Sequence, residues 1–348
     1  MTSAALLRAA VLGALLAGAF TASGAQAPTA PPDATPRTLG EPPLCEPSAA
    51  IPAPWDGALT LVADNEVDDS LFGFELEGGS LAHQRRLPLP TKEGPRDIEA
   101  LATVGDRILV VGSHSRNRLC QIRPARQRLL LARFEPESRK LLLAGAVDSS
   151  RTWASARKGM ESCVAALFTT PAPAYAHRVC GALVAAEKKA REGEAGCTTL
   201  NIEGAVAVDS TSGGTPRVWL GLRSPLVEGD AVLLRLTPGL DELRFDAVAL
   251  VGSGGRGIRE LGRSGEVLWG ILGAPDEGQD RPLLFRIPVA ALAPGGRLSP
   301  ADAASLPAAS EGFVLDAGSV VAVIDGDRGS KERATCLVSG RQIRIPLR

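Results

Sequence analysis

Ionisable residues recur at one position of a repeated phrase. The phrase is a small or polar residue, Ile-Glu-small or a close variant, then apolar residues, and after a gap a β-rich run ending in polar residues. It reads Asp97-Ile98-Glu99-Ala100-Leu101 before RILVVGSHSR and Asn201-Ile202-Glu203-Gly204-Ala205 before VWLGLRSPL. Weaker copies are Gly257-Ile258-Arg259-Glu260-Leu261 before VLWGILGAPDE and Ser310-Glu311-Gly312-Phe313 before VVAVIDGDRG. The run TLVADNEVDD (60–69) has the form of another second half. From Glu99 to Ser113, Arg259 to Gly273 and Glu311 to Asp325 the offset is fourteen residues, while DSTSGGTPR lengthens the Glu203 copy. The repeat position thus carries Glu99, Glu203, Arg259 and Glu311. The strand ends that follow add His114, Arg116, Arg223, Asp276, Asp325 and Asp327, and the early run adds Asp64, Glu66 and Asp68.

Carboxylates gathered at one height repel unless a cation or arginines offset them. Two chemistries follow. Ca²⁺ or another divalent ion can be held by Asp64, Glu99, Glu203 and Asp325. Alternatively Arg223, Arg256 and Arg259 neutralise the ring and grip a small anionic ligand bidentately, with Glu99, Glu203, Glu311 and His114 completing the binding set. Metal and arginines together suit hydrolysis of a phosphoester or ester. The same residues also serve a non-catalytic envelope propeller that binds a ligand or a protein, or a polar channel of structural ion pairs. No residue is assigned a catalytic role.

Repeated strand pairs of this kind predict an all-β fold, a single β-propeller. Six blades are the preferred count, with five or seven compatible. In a propeller the innermost strand of each blade lines the central channel, so equivalent repeat positions reach similar heights around the axis. One segment, about 151–198, departs from the pattern. ARKGMESCVAALF and AHRVCGALVAAEKKAREGE have apolar residues at helical spacing, separated by Pro171 and Pro173. They predict an inserted helical hairpin, either a lid over one mouth of the channel or a docked decoration.

The N-terminus reads as an address. Arg8, the apolar AAVLGALLAGAF and the small residues TASGAQA have the order of a secretory signal peptide, with cleavage expected after Ala25. Residues 26–54 are rich in proline and predict an extended linker, leaving 55–348 as the propeller domain. The expected destination is secreted or periplasmic, with no stable membrane insertion once the signal is removed. Lys+Arg number 38 and Asp+Glu 39, a balance that argues against nucleic acid as a partner. Six cysteines in an exported chain favour disulfides. Cys163, Cys180 and Cys197 imply at least one local bridge, and Cys45 and Cys336 flank the domain where a clasp between first and last blades would be useful.

The segments LPTKEGPRDIEALA, LNIEGAVAV, VWLGLRSPLVEGDAVLLRL and GGRGIREL resemble a bacterial family described as domain of unknown function 3616. The likeness covers about 56–345. That family is similar to phytase-like and esterase-like propellers, whose channels can carry acidic residues. The resemblance implies an exported propeller with Asp97, Glu99, Asn201, Glu203, Arg223, Ser224, Arg256 and Arg259 as motif positions, and it implies no activity. Ala100 stands where the family pattern has Gly.

Three further patterns point to nothing chemical. Gly252-Ser253-Gly254-Gly255-Arg256-Gly257 matches G-x-G-x-x-G, but strand-like sequence follows where a dinucleotide site needs a helix, so no nucleotide cofactor is expected. Gly112-Ser113-His114-Ser115 lacks the closing glycine of a nucleophile elbow. Asp325-Gly326-Asp327-Arg328-Gly329 lacks the ligand series of an EF-hand.

Overall fold

The computed structural model describes residues 35–90, 94–193, 199–208, 216–239, 242–276, 281–326 and 336–347. The expected signal peptide and its cleavage site lie outside them. Five antiparallel blades form a β-propeller, one fewer than the preferred six. The first has strands Pro47–Ala53, Asp56–Asp64, Ser70–Glu77 and Ser80–Pro88, and the second Ile98–Val104, Arg107–Gly112, Arg128–Glu135 and Lys140–Asp148. The third runs Asn201–Val208, Arg217–Val227, Asp230–Leu236 and Phe245–Val251, with the short Arg297–Leu298 parallel at its edge. The fourth contains Gly257–Ser264, Val267–Gly273, Leu283–Pro288 and Ala301–Ser305. In the fifth, Ser310–Asp316, Ser319–Ile324 and Arg341–Pro346 are joined by Arg37–Thr38 from the other end of the chain.

Period-two alternation builds the core, because successive side chains of a strand face opposite neighbours. In the second blade, Leu109 and Val111 pack with the third blade, while Ile108 and Val110 pack with the first. The remaining clusters fill the third–fourth, fourth–fifth and fifth–first interfaces in the same way. The hydrophobic core is therefore a set of inter-blade layers around an axis.

The proline-rich segment is not simply a linker. Leu39 and Leu44 are buried between the fifth and first blades, and Pro47–Ala53 is the innermost strand of the first blade. Pro47 and Pro52 are accommodated because an innermost strand is a sheet edge, where one side of the backbone needs no ladder partner. The propeller thus begins well before residue 55. Ring closure is doubly fastened. Arg37–Thr38 pairs with Arg341 and Gln342, and Cys45 is bonded to Cys336, the clasp suggested by their positions.

The insertion comprises three helices rather than two: α1 (Ser150–Ala156), α2 (Met160–Leu167) and α3 (Ala176–Glu192). The Cys163–Cys180 bridge ties α2 to α3, and Cys120 is also disulfide-bonded. The helices are docked. Val179, Cys180 and Leu183 join the core shared by the second and third blades, and Thr169 donates its backbone N–H to Phe245 O at 3.1 Å. Glu187 of α3 is 4 % exposed and pairs with both Arg116 and Arg157. Among the described residues no helix is long and apolar enough to cross a membrane.

Candidate functional site at the channel mouth

The repeated phrase has a structural cause. In each blade the register between the first two strands slips across the residue at the repeat position. The slips fall between Ile98 and Ala100, Ile202 and Gly204, Ile258 and Glu260, and Ser310 and Gly312. Glu99, Glu203, Arg259 and Glu311 are therefore β-bulge residues, re-aimed out of the alternation that packs their neighbours between blades. The first blade slips between Pro47 and Ala49, which makes Ser48 the fifth member. Sequence reasoning missed Ser48. Its hairpin is longer, Pro47 pairing with Asp64 whereas Ile98 pairs with Gly112, so a fourteen-residue spacing passes over it.

Two of the expected arginine–carboxylate contacts form at the bulges. Arg223 NH1 donates to Glu203 Oε1 at 2.7 Å, and Asn201 Nδ2 donates to the same oxygen at 2.7 Å. Arg223 is otherwise occupied: its Nε donates to Ala274 O at 3.1 Å and its NH2 to Asp276 O. Arg259 NH1 pairs with Glu311 Oε1. Gly273 seats Arg259, since a Cβ there would stand 2.3 Å from its Nε. Asn65 Nδ2 donates to Glu99 Oε1 at 3.2 Å. Asp97, two residues before Glu99, has left-handed backbone (φ 56°) and is held by Arg126 at 2.7 Å and by Ser113.

These partners divide the carboxyls. Burial, with Asp97, Glu203 and Glu311 nearby, pushes the Glu99 carboxyl well above its ordinary range. Burial raises Glu203 too, but Arg223 pulls it back. Burial would depress both arginines, yet the surrounding carboxylates outweigh it and hold them firmly cationic. The ring so contains two arginine–carboxylate pairs beside Glu99, whose carboxyl is raised by burial and by the neighbouring carboxylates. Glu260, next to the bulge, points elsewhere. It is fully buried, accepts from Ala50 N at 3.1 Å and from Leu261 N at 3.0 Å, and burial raises its pKa well above normal.

Four polar atoms of this region are buried and lack a hydrogen-bond partner: Glu203 Oε2, Asn201 Oδ1, Asn65 Oδ1 and Arg259 Nε. Glu203 is 2 % exposed and Arg259 6 %. Neither asparagine oxygen was expected as a ligand. Asn201 belongs to the repeated phrase and could have been found there, whereas Asn65 had no such signal beyond the acidic run around it.

Other expected site residues lie differently. His114 is no ligand: Nδ1 meets Gly112 O at 2.7 Å, Nε2 meets Ser149 Oγ at 3.0 Å, and Trp153 packs edge-on against the ring. It is 1 % exposed, and burial lowers its pKa to about 4, so it is a neutral core residue beneath the helical insertion. Arg256 remains in the turn before the fourth blade, where Gly254 and Gly255 take φ of 61° and 87° and the strand Gly257–Ser264 follows. A G-x-G-x-x-G turn leading into a strand offers no helix N-terminus for a dinucleotide.

No three of the residues expected to hold a metal come within mutual reach among the described residues. Asp64 spends Oδ2 on Cys45 N and Glu46 N and Oδ1 on Glu66 N, fixing the entry to the first blade. Glu203 is paired with arginine, and Asp325 ends the hairpin of the fifth blade half-buried. Among the described residues the acid and histidine donors within mutual reach of 4.8 Å are Glu75, Glu77 and His83. They lie on the two outer strands of the first blade, where Glu75 also pairs with Arg85.

No family model and no curated protein matches the chain. Solved structures do. A calcium-binding protein, regucalcin, from Agrobacterium tumefaciens matches at 11% identity and TM-score 0.40, over 90% of this chain and 95% of that one. A luciferin-regenerating enzyme matches at 6% identity and TM-score 0.40 over the same shares, 90% and 95%. The PQQ-bound aldose sugar dehydrogenase of Streptomyces coelicolor matches at 10% identity and TM-score 0.35, over 92% of this chain and 100% of that one. No residue role is transferred from them.

Proposed function

We propose that this chain is an exported propeller that binds a small polar ligand in the mouth of its channel, against the ring of Glu99, Glu203, Arg259 and Glu311. The observation that carries this reading is the set of buried, unpartnered atoms there. A polar atom taken out of water without a partner costs about 1–3 kcal/mol, and folded proteins leave few of them. Four in one region mark a place where water or a ligand completes the bonding. The disulfides agree with an oxidising destination, and the likeness to the family of domain of unknown function 3616 is part of the same proposal.

One observation favours a catalytic use, hydrolysis of an ester or phosphoester. Glu99 and Glu203 are differently partnered carboxyls in one ring, the first raised well above its ordinary range by burial and neighbouring carboxylates and the second held by arginine. A neutral carboxyl can donate a proton to a leaving oxygen while its ionised neighbour orients or deprotonates water. The test is an ester and phosphoester screen on the mature protein with Glu99→Gln and Glu203→Gln beside it. Turnover lost in Glu99→Gln with ligand binding retained supports the hydrolase. Binding without turnover leaves a ligand-binding propeller, and neither binding nor turnover refutes the proposal.

A further inference from the structure

The donor and acceptor inventory of the ring is lopsided. Arg223 has every guanidinium nitrogen engaged, on Glu203 and on the carbonyls of Ala274 and Asp276. Arg259 directs NH1 at Glu311. An anion entering there would find Arg223 fully engaged and only the Nε side of Arg259 open, and would lie beside Glu203 and Glu311. What is unfilled is mainly acceptor: Glu203 Oε2, Asn201 Oδ1 and Asn65 Oδ1, against one donor, Arg259 Nε. The amide of Asn201 is oriented by its N–H bond to Glu203 Oε1, which turns Oδ1 away from that oxygen. Two acceptors on one strand, two residues apart across a bulge, are arranged to take two neighbouring protons. An ammonium group could supply protons but could not accept from Arg259 Nε. A hydroxyl does both.

We infer that the ligand of the channel mouth is a small hydroxyl-rich molecule, a polyol or sugar-like ring, whose adjacent hydroxyls donate to Glu203 Oε2 and Asn201 Oδ1 and accept from Arg259 Nε. This rests on the proposed binding role of the same ring and specifies its ligand. It replaces the anionic ligand expected from the arginines, because Arg223 is committed to the protein's own carboxylate and carbonyls and the unfilled atoms around Arg259 Nε are acceptors. Asn65 supplies a further unfilled acceptor, Oδ1, beside Glu99, to which its Nδ2 donates.

Ligand-observed NMR on the mature protein tests this with two probe sets. One contains glycerol, myo-inositol and glucose, and the other inorganic phosphate and acetate. Wild type is compared with Asn201→Ala and Arg259→Lys, each checked for folding by near-UV circular dichroism. At least one polyol is expected to bind, about tenfold or more weakly in Asn201→Ala, without competition from phosphate or acetate. If Asn201→Ala does not fold, Asn65→Ala takes its place. Binding of phosphate or acetate with no polyol bound overturns the inference and leaves the binding role intact. Polyol binding that the ring variants do not alter overturns it as well. Failure of every probe overturns the binding role and the inference together.

Discussion

The carboxylate of Glu260, on the innermost strand of the fourth blade, accepts the backbone N–H of Ala50 on the innermost strand of the first, at 3.1 Å. These blades are not neighbours, since the fifth lies between them. The bond therefore links two inner strands across the propeller. It sits at a bulge: the register slips between Ile258 and Glu260, and the two adjacent charged side chains part, Arg259 pairing with Glu311 and Glu260 accepting from Ala50 N.

Glu260 should make the fold less stable as pH rises. Its carboxyl is raised well above 4.5 in the folded protein, so between the unfolded and folded pKa values the native state retains a proton that the unfolded chain has lost. Stability is full below the ordinary carboxyl range and declines through the folded pKa, by up to about 1.4 kcal/mol per pH unit for one group. Glu99 adds a slope of the same sign. Glu260→Gln keeps the acceptor for Ala50 and removes its share. Urea unfolding from about pH 5 to about pH 8 should show wild type losing stability faster than the variant, and parallel curves would mean that Glu260 is ionised in the fold.

The Glu203–Arg223 pair is expected to be costly to break and only partly replaceable. Glu203→Gln leaves a buried guanidinium short of its counter-charge, a loss of about 3–5 kcal/mol. The double variant Glu203→Gln/Arg223→Met removes both charges and should recover some of that. It should not recover all, because Arg223 also donates to the carbonyls of Ala274 and Asp276, and those two bonds are lost with it. A double-mutant cycle by urea denaturation measures the coupling, and full recovery would show that the two carbonyls find other partners.

Chelation is expected to change little. The ring's carboxylates are balanced by arginine or neutralised by burial, and Asp64 is consumed by three backbone N–H groups. A thermal melt with EDTA should overlay the melt without it, and added calcium should not raise it. A stoichiometric divalent ion in the purified protein, with a melt that falls on chelation, would restore the acidic ring as a metal site.

The architecture was legible because the repeat has a physical origin. A bulge needs one residue that leaves the alternation, and in four blades that residue is ionisable, so Glu99, Glu203, Arg259 and Glu311 stand out against apolar neighbours. The first blade was only half legible, its second strand in TLVADNEVDD but not the strand before it. Its bulge residue is Ser48, preceded by Pro47 in a run whose prolines read as linker, and its longer hairpin breaks the spacing. With that first strand unread, the blade count was open. His114 misled because polarity at a strand end marks both a site and a core. Only the contacts to Gly112 O, Ser149 and Trp153 separate the two. Of the three arginines, Arg223 and Arg259 pair with ring carboxylates while Arg256 stays in a turn, and sequence cannot say that Arg223 is used up by main-chain carbonyls contributed by the next blade.

Closure of the ring should depend on Cys45–Cys336. Arg37–Thr38 adds only a two-residue strand to the fifth blade, and the covalent link joins positions 291 residues apart. Replacing both cysteines by serine should cost about 2–5 kcal/mol. The loss should be local first, with faster amide exchange at Leu39 and Gly340, whose backbone groups bond each other, than in the second and third blades. Uniform acceleration across all blades would instead show that the propeller opens as one cooperative unit.

His114 supplies the opposite pH slope to Glu260 and so closes the stability window from the acid side. Burial lowers its pKa from 6.5 to about 4, which means the unfolded chain takes up a proton that the folded protein refuses. Stability is complete above the unfolded value and falls as pH drops through the folded one, by on the order of 3 kcal/mol in total. His114→Gln can keep bonds to Gly112 O and Ser149 without titrating. It should be somewhat less stable near neutrality because Trp153 loses its ring neighbour, yet flatter between about pH 6.5 and about pH 4. The helical insertion reports this directly, since α1 begins beside Ser149. Acid should loosen Trp153, read by its fluorescence, before it unfolds the blades, and simultaneous loss of both signals would place His114 outside the joint between insertion and propeller.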